Sequence, residues 1–308
     1  MYAALAGNLL VAATKAGAAA WTGSASMLSE AVHSLVDTTN EVLLLYGMRR
    51  SQRGIDADHP VGSGRELYFW SFIVALLIFA LGAGVSVWQG VAHIRSPEEI
   101  KDPHVSYIVL ALACVFEGYS WLVSLRAFNE KKGDKGFFDA FRRSKDPPSF
   151  MVLFEDSAAL IGIAIAAAGT YASASLDMPV MDGVASVTIG LMLAATSMLL
   201  LRESKSLLIG ERADEALSAS IVRIAQEDKA VLRANGLRTV QLAPDQVVAM
   251  LSLEFEDKLL VPQIEQAVAE IERKVRQAHP EVLSIYIKLQ TPGTFEEARR
   301  REQQEPGK

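Results

Sequence analysis

The sequence predicts an α-helical membrane protein of six transmembrane helices followed by a cytoplasmic α+β domain, and three observations lead there. Half of the 308 residues are hydrophobic and the mean hydropathy is +0.21, high for a water-soluble chain but low for one wholly immersed in lipid. Apolar stretches of about 20 residues, the length a helix needs to cross a bilayer, fall at roughly 3–21, 26–48, 67–92, 105–127, 150–172 and 180–202. After Arg202 the pattern changes to amphipathic, charged sequence. The expected organisation is a transmembrane domain over 1–205, a cytoplasmic α+β dimerisation domain over 206–290 and a flexible tail over 291–308, because Thr294 to Lys308 is charged and ends in Pro and Gly.

The first span runs past the length of a signal-peptide core, contains Asn8 and Lys15 and lacks a positive leader, so it reads as a membrane span and not as a cleaved targeting segment. The second, Ser26 to Met48, is the most informative. Glu30, His33, Asp37 and Glu41 are spaced by three, four and four residues, which places them in one polar stripe on a helix. Each ionisable group at membrane depth costs about 2.5–3.5 kcal/mol on insertion scales, so the stripe needs compensation from metal, protons, partner charges or water. It reads as an ion path; the alternative is a pairing network that only fixes helix packing.

The fourth span holds Glu117, read either as part of that path or as a packing hydrogen bond or partner for Arg126, and the lone cysteine, Cys114, which excludes an internal disulfide and a cysteine metal cluster within one chain. In the fifth, Glu155 and Asp156 interrupt an apolar run from Phe150 to Ala168. Neighbours on a helix point about 100° apart, so the two cannot both aim squarely at one small ion, although both can edge a water-filled cavity. Pairing with Lys15 or Arg126, or the end of a broken helix, is the purely structural alternative.

Lys and Arg placement sets the expected orientation. Arg49, Arg50 and Arg53, then Lys131, Lys132, Lys135, Arg142, Arg143 and Lys145, then Arg202 and Lys205 all fall on one side, while Thr22 to Ala25 and Ser173 to Asp182 carry no positive charge. Both termini and the soluble domain are therefore expected in the cytoplasm. The basic loop reads as a positive anchor near anionic lipid. The net charge of −6 mixes two unlike halves, and no nucleic-acid partner is expected.

In the soluble part, Ala213 to Glu227 suits a helix and Leu237 to Leu242 a short strand, with a turn at Ala243-Pro244-Asp245. Val247, Ala249, Leu251, Leu253 and Phe255 alternate as one face of a second strand. Ile264, Val268, Ile271 and Val275 form an apolar helix stripe, and Leu283, Ile285, Ile287 and Leu289 a last strand. The order α-β-β-α-β gives a thin, ferredoxin-like sheet with helices on one face, leaving the other for a second copy, so a homodimer is expected.

An imidazole with two or three carboxylates suits a borderline divalent ion such as Zn²⁺, and the absence of Cys and scarcity of Met nearby argue against Cu(I). Mn²⁺, Fe²⁺, Co²⁺ and Ni²⁺ stay open. Metal ligands must be deprotonated, so the same groups carry metal or protons in competition, and His33, with an ordinary histidine pKa of about 6.5, is the natural exchanger near neutral pH. No prosthetic group is expected, only transported metal and H⁺. An intramembrane metalloprotease would need His-Glu-x-x-His on a helix, which the sequence lacks. A metal-binding scaffold without transport is the non-transporter alternative.

The segment Gly23-Ser24 through Met27-Leu28-Ser29-Glu30-Ala31-Val32-His33-Ser34-Leu35-Val36-Asp37, with Asp58-His59-Pro60-Val61-Gly62-Ser63-Gly64-Arg65-Glu66 before span three, resembles the cation diffusion facilitator family. Leu153 to Ala159 and Leu207 to Arg212 resemble its zinc transporter 9 branch. The resemblance implies a homodimeric divalent-cation/proton antiporter with alternating access, in which His33, Asp37 and Asp156 match the transport-site pattern. Most zinc-transporting members also carry a His four residues before the span-five Asp; here Val152 stands there. Glu155 is the first substitute, with Glu41, Glu117 or water behind it, and manganese, iron or cobalt becomes the alternative cargo. Asp58 and His59 lie where some members hold a second metal, but without another His nearby they read as loop-fixing residues. His93 and His104 read as decoration of the outer interface. His279 is alone in the soluble domain, which makes that domain a dimerisation module in preference to a metal sensor. Compact loops and the absent leader point to a bacterial inner membrane.

Overall fold

The computed structural model describes residues 2–54, 56–132, 136–137, 140–141 and 144–304. The chain divides into two compact units, Met1–Lys205 and Ser206–Lys308.

The first unit is a bundle of long helices. Helix α1 (Tyr2–Thr22) ends because Gly23 takes the left-handed region, at φ 71°, and its N–H closes back on the Ala19 carbonyl at 2.9 Å. Ser24 then caps α2 (Ala25–Ser51), its Oγ accepting from the Met27 N–H at 3.1 Å. Helix α3 (Glu66–Leu77) continues through a π-helical stretch (Ile78–Ala83) into α4 (Gly84–Arg95). Helices α5 (Pro103–Lys132), α6 (Pro147–Ser175) and α7 (Val180–Ile209) follow. Pro147 and Pro148 open α6, where a missing N–H costs nothing.

Four of the described helical stretches, Glu66–Arg95, Pro103–Glu130, Pro147–Ser175 and Val180–Ile209, are long and apolar enough to cross a membrane, with mean hydropathies of 1.9–2.3. The sequence reading of six spans thus has strong apolar support for four. In α2 the shortfall is the polar stripe itself, which dilutes an otherwise apolar helix. Burial in α2 is inverted relative to a water-soluble protein. Glu30, His33 and Asn40 are buried, whereas Leu35 is 53% and Val42 46% exposed, an arrangement that suits lipid outside and polar chemistry inside.

Helix α2 occupies the middle, packed on α1, α3, α4 and α6, while α5 packs on α1 and α6. Met27, Val36 and Leu44 of α2 join Val74, Ile78, Phe150, Met151 and Ile189 in one apolar core. Helices α4 and α7 touch through small residues: a Cβ at Gly90 would lie 2.7 Å from both the Gly183 carbonyl oxygen and the Val187 nitrogen. Gly90→Val therefore forces these backbones apart, and overpacking of this kind costs about 1–3 kcal/mol. Thermal unfolding of the detergent-solubilised protein should show the lower midpoint; an unchanged midpoint would mean that the two backbones are not in contact.

In the second unit, α8 (Glu215–Gln226) is capped by Asp214. Strands β1 (Val231–Ala243) and β2 (Gln246–Phe255) form an antiparallel hairpin, α9 (Val261–Ala278) crosses over, and β3 (Val282–Leu289) lies parallel to β2. The sheet order is β1-β2-β3, with Thr239, Ala249 and Ile285 in register. Val247, Ala249, Leu251, Leu253 and Phe255 are all buried and pack, apart from Val247, in a core with Ile221, Ile271, Val275 and Ile285. Strand β1 starts earlier than its hydrophobic pattern indicates. Its register shifts near Val231/Arg233 and Ala234/Gly236 break the alternation by which the N-terminal half would be recognised.

The stretch read from sequence as a flexible tail is instead largely helical, as α10 (Pro292–Gln304). Its composition is that of a solvated segment, but Phe295 lies against Gly236, where a Cβ would come within 2.6 Å of the ring. An Arg238–Glu302 ion pair also joins the helix to β1. Docking on the sheet supplies what composition alone does not. Residues 305–308 of that stretch lie outside the described residues, as do Lys135, Arg142, Arg143 and the side chain of Lys131 from the basic loop.

Candidate metal centre

Helical spacing in α2 brings Asp37 and Glu41 to one side, and α6 presents Glu155 and Asp156 to them. These four carboxylates, with Glu117 of α5 and Val152 of α6, line a narrow cleft inside the first unit. The free space within it is about 20 Å³, room for about one water molecule or a bare ion. Glu155 and Asp156 both edge the cleft, the shared arrangement the helix geometry permits for neighbouring residues.

Three of these carboxylates, Glu155, Asp156 and Glu41, are held by neutral donors. Asn40 Nδ2 donates to Glu155 Oε1 at 3.0 Å. Ser120 and Ser124 donate to Asp156 Oδ2 at 3.0 and 3.1 Å, and Asn8 Nδ2 donates to Glu41 Oε1 at 2.7 Å. Neutral amides and hydroxyls orient the oxygens without neutralising them, which leaves a cluster of acceptors out of bulk water in want of a cation.

His33 is buried beside this cleft and does not line it. Its Nδ1 stands 3.4 Å from Asp37 Oδ1, yet neither ring nitrogen nor that oxygen makes a hydrogen bond. Two donors on a tetrahedral Zn²⁺, with bonds of about 2.0–2.2 Å, are separated by about 3.4 Å. The two orphaned atoms therefore have the bite of a tetrahedral ion. Among the described residues no three His, Cys, Asp or Glu side chains are gathered closely enough to hold a metal. A shell around an ion at the α2 pair would require the α6 carboxylates to move toward it.

Glu30, the first member of the stripe, serves a different partner. Lys15 of α1, fully buried, places Nζ 3.1 Å from Glu30 Oε2, 2.8 Å from Ser34 Oγ and 3.6 Å from Glu117 Oε1. The structural alternative raised for Glu155, pairing with Lys15, is thus realised by Glu30 and Glu117.

Asp58 and His59 lie in the exposed loop before α3, away from the cleft residues. Asp56 accepts from the backbone N–H groups of Asp58 and His59 at 3.0 and 2.6 Å, and its Oδ1 is 2.9 Å from His59 Nδ1. The His59 ring and backbone hydrogen bonds hold the Asp56 carboxyl below its ordinary pKa. Loop fixing accounts for these contacts. His93 is buried at the end of α4, and His279 Nε2 lies 2.8 Å from Ser220 Oγ within the second unit.

Sequence reasoning missed Asp182, which it left in an outer loop. The side chain is fully buried and caps α2 from α7: Oδ1 accepts from Ser24 Oγ at 2.9 Å and from Ser26 Oγ, and Oδ2 from the Ala25 N–H at 2.5 Å. One turn further along, Ser29 and Ser186 hydroxyls meet at 2.7 Å. The available signal was an acid at the start of an apolar run facing a Ser-rich helix start.

The family model for the cation efflux transmembrane domain matches residues 1–209. Metal tolerance protein C4 of Arabidopsis thaliana is 30% identical over 257 residues, 82% of this chain and 56% of that protein. A mitochondrial proton-coupled zinc antiporter of Xenopus laevis is 31% identical over 242 residues, 78% of this chain and 43% of its own length. A cation-efflux pump of Yersinia enterocolitica is 25% identical over 264 residues, covering 85% of this chain and 82% of the pump. The chain spans about half the length of the first two relatives.

Proposed function

This chain belongs to the cation efflux family, whose members are transporters and not enzymes, and from that premise we propose that it exports Zn²⁺ in exchange for protons. His33, Asp37, Asp156 and Glu155 are the proposed ligands, with Glu41 in reserve. The observation that carries this reading is the unbonded His33 Nδ1 and Asp37 Oδ1 at 3.4 Å, next to two buried carboxylates on the facing helix. The same lone pairs that bind metal bind protons, so each ion displaces the other. Loading brings α6 toward α2, and release on the opposite side requires the loaded bundle to close on the loading side and open on the other, which is alternating access.

In this reading six helical segments cross the membrane: α1, α2, the α3–α4 rod, α5, α6 and α7. The basic loop side and the second unit face the cytoplasm, following the Lys and Arg bias, and the second unit pairs two copies of the chain. The relative named as a proton-coupled zinc antiporter supports both cargo and coupling.

Purified full-length protein in proteoliposomes should accumulate Zn²⁺ when the lumen is acidic and stop when the proton gradient is collapsed. Stoichiometric zinc binding without flux would support the scaffold reading instead. Within transport, a second cargo has its own observation. Val152 occupies the cleft where an imidazole would add nitrogen, and an oxygen-richer shell weakens the preference for zinc over Mn²⁺ or Fe²⁺. Flux of Mn²⁺ exceeding that of Zn²⁺ in the same vesicles would establish the second cargo.

A further inference from the structure

Lys15 is unused by the transport site as drawn, yet among the described residues it is the lysine that ion-pairs with a carboxylate lining the cleft. Its ammonium is fully buried and reaches three groups: Glu30 on α2, Ser34 on α2 and Glu117 on α5. Glu117 lines the same cleft as Asp37, Glu155 and Asp156. Two different cations therefore compete for one carboxylate, the tethered ammonium behind it and any metal in front.

We infer that Lys15 is a specificity-determining positioning residue: by holding Glu117 back against Glu30 and Ser34 it keeps a fourth carboxylate out of the metal shell. This rests on the proposed transport function. The physical argument is one of ligand count and hardness. With Glu117 sequestered, the ion meets one imidazole and the carboxylates of Asp37, Asp156 and Glu155, a set that a small tetrahedral ion can satisfy. With Glu117 released, the shell gains a further oxygen and favours ions that accept more and harder ligands, such as Mn²⁺. The neutral Ser34 hydroxyl, 2.8 Å from Nζ, fixes where the ammonium sits without competing for the metal. A buried cation tied to α1, α2 and α5 at once is held too tightly to wander into the cleft itself.

Removing Lys15 alone would strand Glu30 in the bundle interior, and an uncompensated buried charge destabilises strongly. The test therefore removes both members, as Lys15→Met with Glu30→Gln, in the full-length protein in proteoliposomes, and reads the ratio of initial Mn²⁺ to Zn²⁺ rates, not the total flux. Partners one step removed from a metal change its affinity by about 10–100-fold, so the ratio should rise by about tenfold. Adding Glu117→Gln to the double variant should return it to the wild-type value, because the released ligand is then gone. A ratio that stays at the wild-type value in the double variant overturns the inference, and so does a raised ratio that Glu117→Gln leaves raised. If flux in the double variant is too small to measure, calorimetry with Zn²⁺ and Mn²⁺ in detergent reads the same preference. Absence of flux in the wild-type protein would instead remove the transport reading, which these ratios do not address.

Discussion

Asp37→Asn is expected to reduce proton-driven zinc flux to the background of empty vesicles while leaving the protein folded. Asp37 is the hinge of the proposed centre, since Oδ1 is orphaned beside His33 and the side chain also lines the cleft shared with Glu155 and Asp156. The amide keeps the shape but loses the charge that a divalent ion requires at membrane depth. One fewer anion weakens the attraction, and the amide nitrogen, a donor only, turns repulsive if it faces the ion. Stability should hold, because one carboxylate among several crowded ones is relieved of repulsion by neutralisation. His33→Ala should fail in the same way, as it removes the nitrogen of the proposed ligand set. Zinc uptake by a fluorescent indicator, with size-exclusion profiles matched to wild type, checks both. Normal flux in either variant would remove the α2 pair from the ion's route.

The second large effect concerns architecture. Asp182→Ala should destabilise the protein by about 3–5 kcal/mol, since it abandons several buried donors at once and hydrogen bonds to a charged group are worth about 1.5–3 kcal/mol each. The Ala25 N–H and the Ser24 and Ser26 hydroxyls all face this carboxylate, and His33 lies two turns along the same helix. The N-terminal end of α2 would lose its tie to α7, so zinc affinity should fall along with the thermal midpoint. Chemical denaturation in mild detergent reads the first and calorimetry the second. A midpoint equal to wild type would show that Ser24 capping alone holds α2.

Much of this arrangement was legible in the sequence because it depends on local period. The apolar stretches coincide with helices, and the alternation from Val247 to Phe255 with the stripe Ile264, Ile271 and Val275 gave the α-β-β-α-β order. The spacing of His33, Asp37 and Glu41 gave the polar face of α2. Pairings between residues far apart in the chain were not legible. Lys15 read as an alternative partner for Glu155 or Asp156, whereas Glu30 and Glu117 are the carboxylates around it, and Asp182 read as a loop acid although it caps α2. Nor did composition reveal α10, whose charged surface hides a single aromatic anchor, Phe295. The stripe also implied one role for four residues. Three-dimensional packing divides it, giving Glu30 to a lysine and leaving His33 Nδ1 and Asp37 Oδ1 without hydrogen-bond partners.

The most direct test of the central claim is an anomalous-scattering map at the zinc edge from the full-length protein crystallised with Zn²⁺. A peak within bonding distance of His33 Nδ1 and Asp37 Oδ1, completed by Asp156 or Glu155 from α6, is the predicted result. A peak elsewhere, with His33 and Asp37 unligated, would contradict it.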